Sequence, residues 1–192
     1  MSHTEVIQAT PAARESVVET VVSAFAADPA FRYFFPDEAT FIDQAAAFAG
    51  YLFDQRVHRG TVWVVENGAA VAMWDGPRTS DGNAANGHEQ ITLDLPKPSL
   101  ERLDRYGAVV YAALPPRPHW YLGVLATHPG YAGRGWGRLA MTAGLDLAAA
   151  AGLPAYLETT KERNIELYRK AGWHVTESTV VDGLQIWVMR HG

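Results

Sequence analysis

The sequence predicts a mixed α/β fold, and three patterns point to it. Apolar residues recur at helical spacing after Thr10-Pro11, a pair typical of the first turn of a helix. Two apolar runs of β-strand type flank Asn67-Gly68, which predicts a β-hairpin closed by a type I′ turn. An apolar run over 119–127 precedes a glycine-rich segment and a helical pattern over 136–151, so a buried strand is expected to pass into a helix there.

The remaining elements follow from apolar periodicity and from the residues that end each run. Prolines and glycines stop the helical patterns, because proline lacks the amide donor and glycine favours the helix end. The predicted elements are hairpin strands over 61–66 and 69–74, helices over 41–58, 98–114 and 164–172, a strand over 155–160, and two closing strands around Asp182-Gly183. A polar stretch rich in glycine and asparagine predicts a loop over 75–90.

The composition argues against several classes of function. The chain of 192 residues has a net charge of -5 and no cluster of lysine and arginine, so a nucleic-acid partner is not expected. It contains no cysteine, which excludes disulfides and thiolate chemistry, and its histidines are not spaced as metal ligands, so we expect no metal. No apolar run reaches membrane-spanning length and no secretory signal is recognisable. We therefore expect a cytoplasmic protein without a membrane partner.

The segment HPGYAGRGWGRLA, residues 128–140, admits three interpretations. Gly135, Gly137 and Ala140 match the G-x-G-x-x-A pattern of dinucleotide sites, but too little chain follows for a doubly wound sheet. A glycine loop at the start of a helix also suits a pyrophosphate, because exposed amides and the helix dipole attract an anion. The third interpretation is a glycine-rich surface turn without a ligand.

The neighbouring residues distinguish these interpretations. The stretch LATHPGYAGRGWGRLAM resembles the coenzyme-A-binding signature of the GNAT superfamily of N-acetyltransferases, carried by Leu125, Thr127, Pro129, Gly135 and Gly137. It departs from the usual pattern at Thr127, where Val is common, and at Ala132, where Gln or Arg is common. The stretch YLETTKERNIELYRKAGW resembles the following strand and helix of the same family through Glu158, Asn164, Tyr168, Gly172 and Trp173.

The resemblance implies the GNAT fold as a single domain over 1–192. This fold has a mixed, mostly antiparallel central sheet with helices on both faces. Its two inner parallel strands, here 119–127 and 155–160, splay apart at one end. Several segments also resemble the puromycin N-acetyltransferase group, including the short spacing from Asn164 to Tyr168.

The same resemblance implies acetyl-coenzyme A as the cosubstrate. The splayed strands would offer backbone groups to its pantetheine arm, and the glycine loop would hold its pyrophosphate. The residues expected to contact the coenzyme are Leu125, Ala126, Thr127, Ala132, Gly133, Arg134, Gly135, Trp136, Gly137, Arg138, Asn164 and Tyr168.

The family pattern also implies roles in acyl transfer. Tyr168 would protonate the leaving thiolate, Glu158 would accept the amine proton directly or through water, and an amide near Leu125 would stabilise the oxyanion. Structural alternatives stay open: Tyr168 fits a core helix face, Glu158 could pair with Arg163 or Arg169, and Asn164 could be a helix N-cap. The candidate substrate residues are Glu158 and the aromatic residues Phe31, Tyr33, Phe34 and Trp74, which could equally belong to the core.

The sequence thus predicts an acetyl-coenzyme-A-dependent N-acetyltransferase acting on a primary amine of a small molecule, such as an antibiotic or a metabolite. Two alternatives remain at this point: a protein or peptide N-acetyltransferase, and a catalytically idle module that binds coenzyme A. A monomer or a homodimer is expected.

Overall fold

A computed structural model of the chain describes residues 4–77 and 93–192. The strands are β1 (Val6–Gln8), β2 (Val62–Val65), β3 (Ala70–Asp75), β4 (Trp120–Thr127), β5 (Ala155–Thr159), β6 (His174–Val181) and β7 (Leu184–His191). The helices are α1 (Arg14–Phe25), α2 (Pro29–Phe34), α3 (Phe41–Val57), α4 (Lys97–Ala113), α5 (Trp136–Ala150) and α6 (Glu162–Arg169). No helix in these two ranges is long and apolar enough to cross a membrane.

All seven strands form one sheet in the order β1-β2-β3-β4-β5-β7-β6. Only β4 and β5 run parallel to each other, and every other neighbouring pair among the described strands is antiparallel. The predicted mixed and mostly antiparallel sheet is therefore confirmed. β4 and β5 need a crossover because they are parallel, and α5 supplies it.

Helices cover both faces of the sheet because side chains alternate along each strand. On one face, Val64 and Met73 pack in a buried cluster with residues of α1, α2 and α3. On the other face, Val65 and Trp74 pack with residues of α5 and α6. The strands β2 and β3 are buried on both faces, which explains their continuous apolar sequence.

A β-bulge in β4 separates the strand into two parts. Met73 lies opposite Val124 and Trp74 lies opposite Leu122, so Gly123 is one extra residue in β4. A bulge bends its strand and increases the local twist. Pairing of β4 with β5 is confined to Trp120 with Ala155 and Tyr121 with Tyr156 among the described residues. The two strands separate beyond Tyr121, as the resemblance implied.

Two local predictions are correct in position but differ in detail. Thr10 precedes a 3₁₀ turn over Pro11–Ala13 that leads into α1 at Arg14, and the Thr10 side chain forms no capping hydrogen bond. The hairpin turn keeps Asn67 and Gly68 at its predicted centre, because both have positive φ angles, 55° and 92°, and Ala69 N–H donates to Glu66 O. Glu66 also has a positive φ of 47°, and Gly68 N–H donates to Val65 O, so each strand ends one residue short of its predicted bound. Four residues therefore connect β2 and β3 instead of two.

Two short elements were not predicted from the sequence. In α2, the Asp28 carboxylate caps the helix by accepting from the N–H groups of Ala30 and Phe31. The strand β1 extends the edge of the sheet beside β2. The loop predicted over 75–90 lies, from residue 78 onward, outside the described residues.

Candidate active site

The separation of β4 from β5 opens a cleft of about 1580 Å³ that is reached from both faces of the sheet. Phe31, Phe34 and Tyr106 line it on the side of α2 and α4. Gly135 and Tyr168 line it on the side of α5 and α6. The cleft therefore connects two regions that the unsplit part of the sheet keeps apart.

The edge of β4 offers free backbone groups to this cleft. His128 N–H donates to Ala69 across the β3–β4 ladder. Bonding alternates along an antiparallel ladder, so the amides of Ala126 and Val124 also point to β3. The amides of Leu125 and Thr127 consequently point the other way, toward the region where β5 has separated. This direction suits hydrogen bonds with an extended amide-containing ligand.

A second set of free amides lies at the start of α5. We call the backbone N–H groups of residues 133–138 the amide cradle. None of them donates to another group within residues 4–77 and 93–192. Gly133 and Gly135 have φ angles of 81° and 75°, which residues with a side chain rarely adopt. The helix dipole adds positive potential there, so the amide cradle suits a phosphate group.

Close packing and ring contacts surround the segment that carries the amide cradle. At Gly137, a Cβ atom would lie 2.8 Å from Thr127 Oγ1, so this glycine lets α5 approach the end of β4. The Tyr131 and Trp136 rings stack with centroids 5.2 Å apart, and the Arg134 guanidinium lies 5.3 Å and 5.1 Å from them. Arg134 lies outside the cleft wall, whereas Arg138 is part of it.

Glu158, on β5, has its carboxylate surrounded by hydroxyl groups. Tyr106 Oη donates to Oε1 at 3.3 Å, and Tyr121 Oη donates to Oε2. Burial raises the pKa of Glu158, and the hydrogen bonds from the two tyrosines oppose that shift. Burial also raises the pKa of both phenols well above their ordinary value, so they stay protonated and donate.

The structural alternative in which Glu158 pairs with Arg163 or Arg169 is not found among the described ion pairs. Arg169 Nη1 instead donates to Glu166 at 2.5 Å, one turn earlier in α6. Among the described residues, no lysine or arginine lies within ion-pair distance of Glu158. Within residues 4–77 and 93–192, the carboxylate is therefore held by neutral donors and faces the cleft without a cationic partner.

Tyr168 projects from α6 into the same cleft. It is 8% exposed and its ring meets Trp173 edge-on, with centroids 6.2 Å apart. Burial and the negative charges of Glu158 and Asp28 raise the pKa of Tyr168, so its hydroxyl keeps its proton. No group in the described part of the chain forms a hydrogen bond with this hydroxyl. It can therefore donate to a bound molecule.

The geometry can be compared with known proteins. Residues 11–173 match the model of the acetyltransferase (GNAT) family. The chain belongs to this family. Its free amides, separated strands and buried titratable groups are thus features of an acetyltransferase.

Solved structures of acetyltransferases share its fold. A Corynebacterium glutamicum protein, described as histone acetyltransferase HPA2 and related acetyltransferase, is 23% identical, with a TM-score of 0.69 over 98% of this chain and 96% of that chain. The mosquito arylalkylamine N-acetyltransferase like 5b is 16% identical, with a TM-score of 0.69 over 98% and 99%. The PaiA N-acetyltransferase of Thermoplasma acidophilum, in complex with coenzyme A, is 10% identical, with a TM-score of 0.60 over 99% of each chain.

Two predicted substrate residues of this acetyltransferase lie away from the cleft, whereas Asn164 lines it. Asn164 lies inside α6, whose N-cap is Lys161, so it is not the helix N-cap, and it donates to Thr159 Oγ1 at 3.4 Å. Trp74 is fully buried under α5 and lies outside the cleft wall. Tyr33 also lies outside the cleft wall and donates to Asp182 Oδ2 at 2.6 Å. Trp74 and Tyr33 therefore drop out of the candidate substrate residues.

Sequence reasoning missed four cleft residues of this acetyltransferase. Tyr106 and Tyr121 hold Glu158, and an ion pair joins Asp28 to Lys161 with Oδ2 and Nζ 3.1 Å apart. The start of α2 could have been predicted from Asp28-Pro29, because aspartate before proline is a common helix start. Tyr106 falls on the apolar face of α4, where sequence alone indicates a core position.

Proposed function

We propose that this acetyltransferase uses acetyl-coenzyme A to acetylate a primary amine of a small molecule. The proposal rests on one observation: the amide cradle, the Glu158 carboxylate and the Tyr168 phenol all face one cleft. Acetyl transfer to an amine needs an anion site for the coenzyme, a proton acceptor for the amine and a donor for the thiolate.

The residues present fit the coenzyme. The amide cradle would hold the pyrophosphate, and the free amides of Leu125 and Thr127 would pair with the pantetheine arm. An amide at Leu125 would also stabilise the negative charge that develops on the acetyl oxygen. Bound there, the coenzyme supplies the acetyl group as a thioester. The residues proposed to contact it through the cleft wall are 125–127, 132, 133, 135–138, Asn164 and Tyr168, and Arg134 lies outside that wall.

Glu158 is proposed to accept the proton of the attacking amine. Its raised pKa makes the carboxylate a stronger base than an exposed one, and Tyr121 and Tyr106 fix its orientation. As the amine nitrogen bonds to the acetyl carbon and the carbon–sulfur bond breaks, the amine proton passes to Glu158. A water molecule between nitrogen and carboxylate would serve the same transfer.

Tyr168 is proposed to donate to the sulfur. Its hydroxyl stays protonated because burial and two nearby carboxylates raise its pKa. The departing thiolate then receives a hydrogen bond and a proton from the phenol.

The finer sequence assignments keep the status of predictions. They are membership of the puromycin N-acetyltransferase group, a single domain over 1–192, a cytoplasmic location and a monomeric or dimeric state. Among the described residues that line the cleft, none favours a peptide acceptor over a small amine.

The test combines coenzyme binding with thiol release. Acetyl-coenzyme A should raise the melting temperature, because a ligand that binds only the folded state stabilises it. Tyr168→Phe and Glu158→Gln should each keep that rise and lose about 100-fold or more in kcat with an accepted amine, the usual effect of removing a general acid or base.

Tyr156→Phe provides the matched control. Tyr156 is a buried tyrosine of β5 that lies outside the cleft wall, so its variant should keep full activity. Absence of a coenzyme-induced rise in the wild-type protein would refute the proposed function. Full activity of Tyr168→Phe would remove that residue from the mechanism.

A further inference from the structure

The charges that line the cleft carry information about the acceptor. Four carboxylates line it among the described residues, and three of them are paired with cations of the protein. The pairs are Asp28 with Lys161 at 3.1 Å, Asp75 with Arg56 at 2.6 Å, and Glu166 with Arg169 at 2.5 Å. These three carboxylates are already neutralised.

Glu158 is the fourth carboxylate. Its partners are the hydroxyl groups of Tyr106 and Tyr121, which donate hydrogen bonds but carry no positive charge. A carboxylate removed from bulk water gains strongly from a cation within hydrogen-bond distance. The described part of the cleft thus has one place for one ammonium group.

The walls beside Glu158 suit an apolar body. Phe31, Phe34 and Phe48 line the cleft, and the Tyr106 ring meets Phe34 edge-on with centroids 5.0 Å apart. Apolar groups of an acceptor would be removed from water against these rings. A second ammonium group there would lose its water without finding an unpaired carboxylate among the described wall residues. Arg59 and Arg117, also in the wall, would repel it.

We infer that the acceptor is a monoamine with an alkyl or aryl body and that the cleft rejects diamines. This inference rests on the proposed function, since it assigns Glu158 to the reacting amine. A diamine can enter with its second amine neutral, and an amine with a pKa near that of lysine is neutral in about one molecule in a thousand at pH 7.4. The preference for the monoamine should therefore lie between about 100-fold and 1000-fold in kcat/KM.

The experiment uses the wild-type protein and matched pairs of amines. Pentylamine is compared with 1,5-diaminopentane, and benzylamine with 4-(aminomethyl)benzylamine, by thiol release from acetyl-coenzyme A. Each pair differs chiefly by one added ammonium group. A preference for the monoamine of about 100-fold or more in either pair supports the inference. Equal or better use of the diamines overturns it, as does coenzyme binding without turnover of any monoamine.

The failure of the proposed function gives a different result. If acetyl-coenzyme A does not raise the melting temperature, the function itself is wrong. If the temperature rises and diamines are acetylated best, only the charge argument is wrong.

A variant tests the cause of the preference. Arg56→Met removes the partner of Asp75, whose side chain is 33% exposed and so tolerates the loss better than Asp28 at 9%. The freed carboxylate should then pair with the second ammonium and reduce the preference about tenfold or more. Arg14→Met is the control. It also breaks an arginine–aspartate pair that involves α3, here between Arg14 and Asp54, but this pair lies outside the cleft.

An unchanged preference in a folded Arg56→Met protein would overturn the explanation by charge pairing. Melting temperatures of both variants show whether they fold. The comparison of amines on the wild-type protein decides the inference even if Arg56→Met does not fold.

Discussion

Two glycines at opposite ends of α5 allow the amide cradle to be tested against a matched control. Gly135 precedes the helix with φ 75°, and Gly152 follows it with φ 64°. At both positions an added Cβ would have no atom within 4 Å apart from those of the adjacent residues in the chain. Gly135→Ala and Gly152→Ala therefore impose the same kind of backbone strain without a steric clash, and only Gly135 lies in the amide cradle.

The expected loss of stability is similar for the two variants. A left-handed conformation costs an alanine about 1–2 kcal/mol. Reduced freedom of the unfolded chain offsets about 0.4–1 kcal/mol of that cost. The net loss of about 1 kcal/mol should lower the melting temperature of a chain of this length by about 2–4 °C.

Coenzyme A should separate the two variants. At Gly135, the methyl group enters the open space beside the free amides, where the pyrophosphate is expected. Loss of one hydrogen bond to a charged group costs about 1.5–3 kcal/mol, which weakens binding about 10- to 100-fold. At a concentration 100 times the wild-type Kd, stabilisation by coenzyme A should fall from about 2.7 to about 0.4 kcal/mol after a 100-fold loss.

The assay is thermal unfolding of the three proteins with and without coenzyme A, with Kd measured by calorimetry. Gly152→Ala should keep the wild-type Kd and the full rise in melting temperature. A wild-type Kd for Gly135→Ala would refute the assignment of the amide cradle to the pyrophosphate. An equal loss of binding in both variants would show that strain in α5, and not the cradle, controls the affinity.

Three further outcomes are expected from other positions. Gly144→Ala should destabilise the protein by about 1–3 kcal/mol in chemical denaturation, because its Cβ would lie 2.2 Å from a ring atom of the fully buried Trp74. Gly50→Ala has the same overlap, but with the far end of the half-exposed, flexible Arg14 side chain, so it should be neutral or stabilising. The folded protein holds the proton of Glu158 more tightly than the unfolded chain does, because burial raises the pKa of this carboxyl above 4.5. The free energy of unfolding of the wild type, relative to that of Glu158→Gln, should therefore fall as the pH rises from 4.5 to the raised pKa. A difference that does not depend on pH would contradict this.

Much of the fold could be predicted because the signals are local in the sequence. The helices α3 and α4 were predicted to within one residue, since each keeps an apolar stripe that ends at a clear stop. β1 was missed because three residues at the edge of the sheet carry no pattern of their own and depend on pairing with β2. The Asn67-Gly68 turn could be predicted from its residues, but the strand ends could not, because Glu66 also has a positive φ and the ladder stops at Val65 with Ala70.

The candidate site likewise has one part that could be predicted from local sequence and one part that could not. The amide cradle is contiguous in sequence, so its glycines and the helix start were recognisable together. The partners of Glu158 are 52 and 37 residues away from it, at Tyr106 and Tyr121. Only the order of the strands and the position of α4 bring these side chains to one carboxylate. Contacts of that kind cannot be predicted from spacing along the chain.

The bulge at Gly123 connects the two halves of the site. Before it, Tyr121 still pairs with β5 and directs its side chain to the α4 face, where it holds Glu158. After it, β4 stays with β3, and the amides of Leu125 and Thr127 face the gap left by β5. A side chain at 123 would lie within 3.1 Å of Arg56 Nη2, so glycine also leaves room for the pair with Asp75. One extra residue in β4 therefore marks the point where the strands separate and leaves the Glu158 carboxylate beside the gap proposed for the coenzyme.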